Sequence, residues 1–230
     1  MPTIQAALSF LERDRLLYHD MRELLMRGSG EVLHAGADGV LLREKESGIL
    51  FLAGAEEDDD LRLAQQAEGE LLTLHRLESA RKLLGQRGWT TLQDCWQMVY
   101  LGEAPREPEE DLRILGLEHL EQVHAHYHPE EDGEYLRDRL EQGLMLGVFV
   151  EDRMAGFIGV HSEGSMGLLE VFPAYRRRGL ASALERGMIH LQMRRGWQPY
   201  CQVIVGNEAS RTLQEKLGLT MAEGHVCWLF

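Results

Sequence analysis

Three consecutive arginines, Arg176, Arg177 and Arg178, stand in a chain of 230 residues whose formal net charge is -14. Gly179 follows them directly, and Ala181 and Ser182 fall within the next helical turn. An apolar run ending at Pro173 leads in, and a helix-patterned segment leads out. The start of a helix exposes unpaired backbone N–H groups and a partial positive charge. A glycine there lets an anion reach the backbone closely. Ser182 adds a hydroxyl, Ala181 is small at the point of close approach, and the arginines add fixed charge. These residue types at this spacing describe a seat for a phosphate or pyrophosphate. The further glycines of a Walker A loop or a dinucleotide fingerprint are absent. A solvated basic turn is the alternative that three arginines alone allow.

The elements that must position this turn are legible around it. Strand patterns "LMLGVFV", "MAGFIGVHS" and "MGLLEVF" precede it, joined by the turns "EDR" and "EGS". A helix from Gly179 to about Arg195 follows, then a strand "YCQVIV", a helix "EASRTLQEKLG" and closing strands up to "HVCWLF". Upstream, "DLRILG" reads as a strand, with helices at 117–127 and 133–142. The first half opens with a long helix over Ile4 to Leu25, ended by Gly28 and Gly30. Strands "EVLHA", "VLLRE" and "GILFLA" come next, then a helix from about Glu57, a strand "LLTLH", a helix "LESARKLLGQRG" and a strand "CWQMVYL". The segment "GEAPREPEEDL" has linker composition. It divides the chain into residues 1–104 and 105–230. Both halves share the order three strands, helix, strand, helix, strand, an internal repeat of elements that fits either a duplication or chance.

Composition narrows the function classes. With 38 acidic and 24 basic residues, spread over both halves, the chain lacks the basic surface of a general nucleic-acid binder. The three cysteines, Cys95, Cys201 and Cys227, form no metal spacing and no disulfide framework. The N-terminal stretch has no signal-peptide pattern, and no run approaches the roughly 20 apolar residues of a membrane span. The expectation is a cytoplasmic protein without membrane or nucleic-acid partners.

The stretch "VFPAYRRRGLASALE" resembles the acyl-CoA-binding motif of the GNAT superfamily of N-acyltransferases: Arg176, Gly179 and Ala181 hold the motif positions, after Val171, Pro173 and Tyr175. "VGNEASRTLQEKLGL" is similar to that superfamily's later motif. The resemblance spans about residues 111–230. Within the superfamily, "GWQPYCQVIVGNEAS" and Trp228 look most like the glycine N-acyltransferase-like branch. The fold this implies is α/β with a mixed sheet: a GNAT-like second half preceded by a smaller α/β domain of similar element order. The strands "MGLLEVF" and "YCQVIV" would splay apart like a V around acetyl-CoA or another acyl-CoA, with no metal. Pantetheine would pair with the backbone of Val171 and Phe172. The pyrophosphate would sit on Arg176, Arg177, Arg178, Gly179, Leu180, Ala181 and Ser182. Asn207 and Ser210 would complete the cosubstrate site, although Asn207 suits a helix cap equally well.

Transfer to an amine needs a base, because a free alkyl ammonium is mostly protonated at neutral pH. Glu170, near the end of the central strand, is the first candidate, on the expectation that partial burial raises its pKa. Glu163, in the turn "HSEGS", is the second. The glycine branch's catalytic glutamate falls at Ser165 here, and the tyrosine acid of many members falls at Gln214. Tyr127, His128 and Tyr135 are the expected lining of the acceptor pocket. His124 and His128 share a helix face but lack a third ligand at fixed spacing. Cys201 and Cys227 read as core.

The first half carries "AGAEEDDDLRLA" where it would need a glycine-led phosphate turn. Five acidic residues there would repel a pyrophosphate. This half is expected to shape the acceptor side or a subunit contact, with a homodimer as one form. The function expected is N-acyl transfer, in first place N-acetyl transfer, to a small-molecule amine or amino acid. The alternative is a CoA-binding regulatory or assembly module without turnover.

Overall fold

The computed structural model describes residues 2–127 and 133–230. The chain divides into two compact units. Unit 1 comprises Met1–Val99, Ser162–Gly164 and Tyr200–Phe230, and unit 2 comprises Tyr100–His161 and Ser165–Pro199. This division differs from the expected break after residue 104, because the last segment of the chain packs with the first.

Unit 1 begins with α1 (Ile4–Leu11) and α2 (His19–Met26). The long helix expected over this region is broken by a 3-10 turn at Glu12–Asp14, and the Asp14 carboxylate accepts from the Leu17 amide at 2.9 Å. A side chain that satisfies a nearby backbone donor competes with helix continuation. Three antiparallel strands follow: β1 (Gly30–Gly36), β2 (Gly39–Glu44) and β3 (Leu50–Gly54). Then come α3 (Glu57–Ala64), β4 (Leu72–Leu74), α4 (Leu77–Leu83) and β5 (Leu92–Tyr100). β3 is buried on both faces, as its uninterrupted apolar run requires. Leu50 and Leu52 pack with Leu63 and Leu83, while Phe51 and Ala53 pack with Phe10 and Leu24.

The remaining elements of unit 1 come from the end of the chain: β10 (Tyr200–Ile204), α8 (Glu208–Lys216), β11 (Leu219–Met221) and β12 (Val226–Leu229). The strand order in this unit is β1-β2-β3-β4-β12-β5-β10, with β11 also on β5. β12 enters between β4 and β5 and is antiparallel to both, with Cys227 opposite Leu74 and Asp94. β5 in turn pairs antiparallel with β10. The final strand of each sequence half therefore pairs with the strand that follows the other half's first crossover helix. That exchange explains why the compact units do not follow the linker.

A largely buried polar network joins this sheet to α2. His75 Nε2 is 2.8 Å from Asp20 Oδ1, and its Nδ1 is 3.0 Å from the Leu52 carbonyl oxygen. Gln202 donates to Asp20 and to Gln97, and the Trp228 indole donates to Gln202 at 2.6 Å. Burial acts to lower the His75 pKa, but the Asp20 carboxylate outweighs it, and the net direction is up.

Unit 2 is a four-stranded antiparallel sheet in the order β6-β7-β8-β9. The strands are β6 (Asp111–Ile114), β7 (Met145–Val150), β8 (Arg153–Val160) and β9 (Met166–Val171). Between β6 and β7 lie a 3-10 turn (Leu117–His119), α5 (Leu120–His126) and α6 (Glu134–Glu141). After β9 a 3-10 turn at Pro173–Tyr175 leads into α7 (Leu180–Arg194). Leu115, Val123, Leu140, Phe157, Leu168 and Phe172 lie in its core. Among the described residues no helix is long and apolar enough to cross a membrane.

Candidate functional site

The arginine turn has the backbone that its sequence requires. Gly179 is left-handed, at φ 81° and ψ -2°, and it stands at the N-cap of α7. A Cβ at Gly179 would meet no atom within 4 Å, so the space above the turn is open. No side chain caps the helix, which leaves the first-turn N–H groups of Leu180, Ala181 and Ser182 without a side-chain acceptor. Arg177 is also left-handed, at φ 63°, an unusual conformation for a residue with a Cβ. Arg177 and Arg178 are exposed and make no ion pair among the described residues, and the Arg178 guanidinium lies 5.5 Å from the centre of the Tyr175 ring. Two unpaired cations beside an open, uncapped helix start fit a diphosphate.

Arg176 behaves differently. Its Nη2 donates to Glu170 Oε1 at 2.9 Å, and its Nε donates to the Val171 carbonyl at 2.9 Å. Glu170 is thus a carboxylate partly buried, as expected from its place in the strand, and ion-paired to Arg176. The Val171 carbonyl expected to meet pantetheine is already held by Arg176. Phe172 is committed as well. Its amide donates to Ala155, its carbonyl accepts from Tyr175, and its ring stacks on His126 at 3.9 Å.

β9 carries a feature that the sequence did not announce. Leu168 is left-handed, at φ 53°, and the pairing with β8 shifts between Phe157 and Gly159. This is a β-bulge, in which one extra residue leaves the ladder and frees backbone polar groups. Glycines on β8 permit it. A Cβ at Gly159 would come within 2.7 Å of Leu168 Cδ1, and one at Gly156 within 2.5 Å of the Glu170 carbonyl oxygen.

Of the expected acceptor-pocket residues, Tyr127 packs against the core of unit 2 and ends α5. His128 lies outside the described residues. Tyr135 is partly exposed, and its hydroxyl is 2.8 Å from His161 Nδ1. His161 was not singled out from sequence. Its ring lies over β9, where a Cβ on Gly167 would sit 2.3 Å from its Nε2. The only sequence signal for it was its position at the strand end before "SEGS".

Glu163 belongs to unit 1 and is buried, at 4% exposure, where a turn glutamate would ordinarily be solvated. Its carbonyl accepts from Tyr200 Oη at 2.9 Å and from Arg27 at 3.2 Å. Asn207 caps α8 by accepting from the Ser210 amide at 3.1 Å, so both residues have a structural task in unit 1. Gln214 is buried on the same helix. Cys95, Cys201 and Cys227 are buried thiols, and burial pushes Cys227 up to about 12 and Cys95 to about 11. Neither is a thiolate nucleophile near neutral pH.

The first half answers the open turn of α7 with a closed one. Asp60, at the start of α3, accepts from the Gly54 amide at 2.7 Å and from Ser79 Oγ at 2.7 Å, and Arg76 pairs with it. A Cβ on Gly54 would lie 2.6 Å from the Asp60 amide. Asp60 thus fastens α3 to the end of β3 and to α4, and the start of α3 is closed by the capping box of Glu56 and Asp59.

This fold is similar to that of solved structures from the GNAT family. Residues 143–229 match the family model of FR47-like proteins. An X-ray structure of a Drosophila protein superposes with a TM-score of 0.65 at 18% identity, over 93% of this chain and 88% of that one. A GNAT-family protein from Novosphingobium aromaticivorans gives 0.60 at 20% identity, over 94% and 96%. A GCN5-related N-acetyltransferase from Sphaerobacter thermophilus gives 0.53 at 19% identity, over 100% and 93%. No curated protein matches the chain in sequence.

Proposed function

We propose that this chain is an acyl-CoA-dependent N-acetyltransferase acting on a small amine or amino acid. The observation that carries the reading is the open Gly179 turn, with uncapped amides at Leu180, Ala181 and Ser182 and two unpaired arginines beside it. The helix dipole contributes roughly half a positive charge at that point. Acetyl-CoA supplies the activated acyl group as a thioester. When its phosphates bind, Arg176 swings from Val171 and Glu170 toward them. That move frees the Val171 carbonyl for pantetheine and the Glu170 carboxylate for the incoming ammonium. Glu170 takes the amine's proton, and a backbone N–H at the Leu168 bulge donates to the thioester oxygen as charge develops. Glu163 is the second candidate base.

The Tyr135–His161 hydrogen bond favours a different base for the same reaction. If His161 Nδ1–H donates to Tyr135 Oη, the Nε2 lone pair beside Gly167 is left to accept a proton. Turnover of Glu170→Gln and His161→Asn, measured side by side, separates the two, since only loss of the base costs the rate of proton transfer. The likeness to the glycine N-acyltransferase-like branch rests on "GWQPYCQVIVGNEAS" and Trp228, and it points to an amino acid as acceptor. A CoA-binding module without turnover is favoured by Gln214 standing where many members have a tyrosine acid. Acetyl-CoA consumption against a panel of amines tests the whole reading. Saturable acetyl-CoA binding with no turnover on any amine would leave the module.

A further inference from the structure

A second cavity, of about 240 Å³, lies in unit 2 between α7 and the β6 edge of its sheet. Its floor is apolar: Leu112 on β6, Leu146 on β7 and the bare backbone of Gly187 on α7. A Cβ on Gly187 would come within 2.3 Å of Leu112 Cδ1, so a glycine at this point of the helix is what lets the strand side chain reach the floor. His190, one turn further along α7, lines the same cavity. It is only 9% exposed, and its Nε2 is buried with no hydrogen-bond partner among the described residues. A buried ring nitrogen left unpaired is costly and rare in a folded protein, and a ligand is one thing that satisfies it.

The rim carries both signs of charge. Glu107 and Glu110 come from the segment before β6, and Arg194 comes from α7. The Arg194–Glu107 pair is 4.0 Å apart and the Arg186–Glu110 pair 3.7 Å, both beyond direct hydrogen-bond distance. These groups are near enough to share a ligand and too far apart to satisfy one another. A separate polar pocket of about 370 Å³, lined in part by Arg106 and Arg186, shares Glu107 and Glu110 with this rim.

We propose that this cavity binds a free α-amino acid with an aliphatic side chain. The ammonium meets Glu110 and Glu107, the carboxylate meets Arg194 and His190, and the side chain lies on Leu112 and Leu146. A singly charged ligand would leave one sign of the rim unmatched, and a wholly apolar one would leave His190 unpaired. The cavity is lined by residues 107–114, Leu146 and the second half of α7, none of which belongs to the phosphate turn. The inference therefore stands apart from the acyl-transfer reading.

The test is calorimetric titration of the full chain, without acetyl-CoA, with L-leucine, isopentylamine and isocaproate. The three probes share one branched body and differ only in charge. L-leucine is expected to bind saturably and more tightly than either of the others. Glu110→Gln and His190→Leu are each expected to weaken it by about ten- to a hundredfold, the loss typical of a hydrogen bond to a charged group. Glu110 is half-buried and only loosely paired to Arg186, at 3.7 Å, so its variant is expected to fold and the test survives if His190→Leu does not. Leucine binding weakened by Glu110→Gln supports the site. Either singly charged probe binding as tightly as leucine overturns the zwitterion. Absence of saturation by leucine at millimolar concentration, or unchanged affinity in the variants, overturns the site itself.

Discussion

Arg176 holds the Glu170 carboxylate and the Val171 carbonyl at the same time, through Nη2 and Nε, each at 2.9 Å. One guanidinium thus ties the proposed base to the proposed pantetheine contact, next to the turn proposed for the phosphates. The pair is partly solvated, so its own contribution to stability is small. Its weight in the proposed reaction lies in what Arg176 would release on turning to the phosphates.

Glu170→Gln is expected to lower turnover by about 10²–10⁴-fold, the usual range for a general base, while acetyl-CoA affinity changes little. Glutamine keeps the size and can still accept from Arg176, but it cannot take a proton. Steady-state kinetics with a good amine acceptor, beside a direct acetyl-CoA titration, give the two numbers. A wild-type rate in the variant would remove Glu170 from the chemistry. His161→Asn is then the next variant to make, with turnover against acetyl-CoA affinity as the readout.

Gly179→Asp is expected to abolish acetyl-CoA binding in a protein that still folds. The carboxylate would project into the open space above the uncapped amides. Gly179→Ala isolates the backbone component, since a Cβ at φ 81° costs about 1–2 kcal/mol with no added charge. Thermal unfolding measures that cost, and acetyl-CoA titration measures the loss of binding. Undiminished affinity in Gly179→Asp would contradict the assignment of this turn.

Asp60→Ala, made in the full chain, is expected to destabilise the protein by about 3–5 kcal/mol, because it strands the Gly54 amide, Ser79 and Arg76. It opens the closed turn of the first half. Acetyl-CoA affinity is expected to stay at the wild-type value, because Glu56, Glu57, Asp58 and Asp59 still repel phosphate there. Denaturant unfolding and acetyl-CoA titration check the two parts separately.

The buried His75–Asp20 pair sets a pH dependence of stability. The folded-state pKa of His75 is raised, so protonation favours the folded chain. That contribution is fully present below the unfolded value of about 6.5 and is lost as pH rises through the folded pKa. The melting temperature is expected to fall as pH increases above about 6.5. Asp20→Asn is expected to flatten this dependence, and to lower the melting temperature at pH 6 because it removes one member of a buried pair. A melting temperature independent of pH in the wild type would contradict the charged pair.

The elements and the backbone of the arginine turn were legible in the sequence because they are local. Alternating and continuous apolar runs mark the strands, and nearly every predicted strand and helix appears within a few residues of its expected place. The turn of Arg176 to Ser182 depends on one left-handed glycine and an uncapped helix start, and both are written within seven consecutive residues. The five acidic residues of the first half likewise fall at a helix start, where Glu56 and Asp59 form a capping box.

What only the tertiary structure decided depends on residues far apart in the chain. No periodicity tells β12 to enter between β4 and β5, since an apolar strand pattern does not name its partner. The domain boundary read from linker composition missed that exchange for this reason. The Leu168 bulge needs bare backbone at Gly156 and Gly159 on the facing strand. The burial of Glu163 needs Tyr200 and Arg27, and the Tyr135–His161 contact joins a helix to a strand end. His190 reads in sequence as one more residue of an amphipathic helix. Its Nε2, unpaired among the described residues, and the close approach of Leu112 to Gly187 beside it are matters of packing that local sequence does not encode.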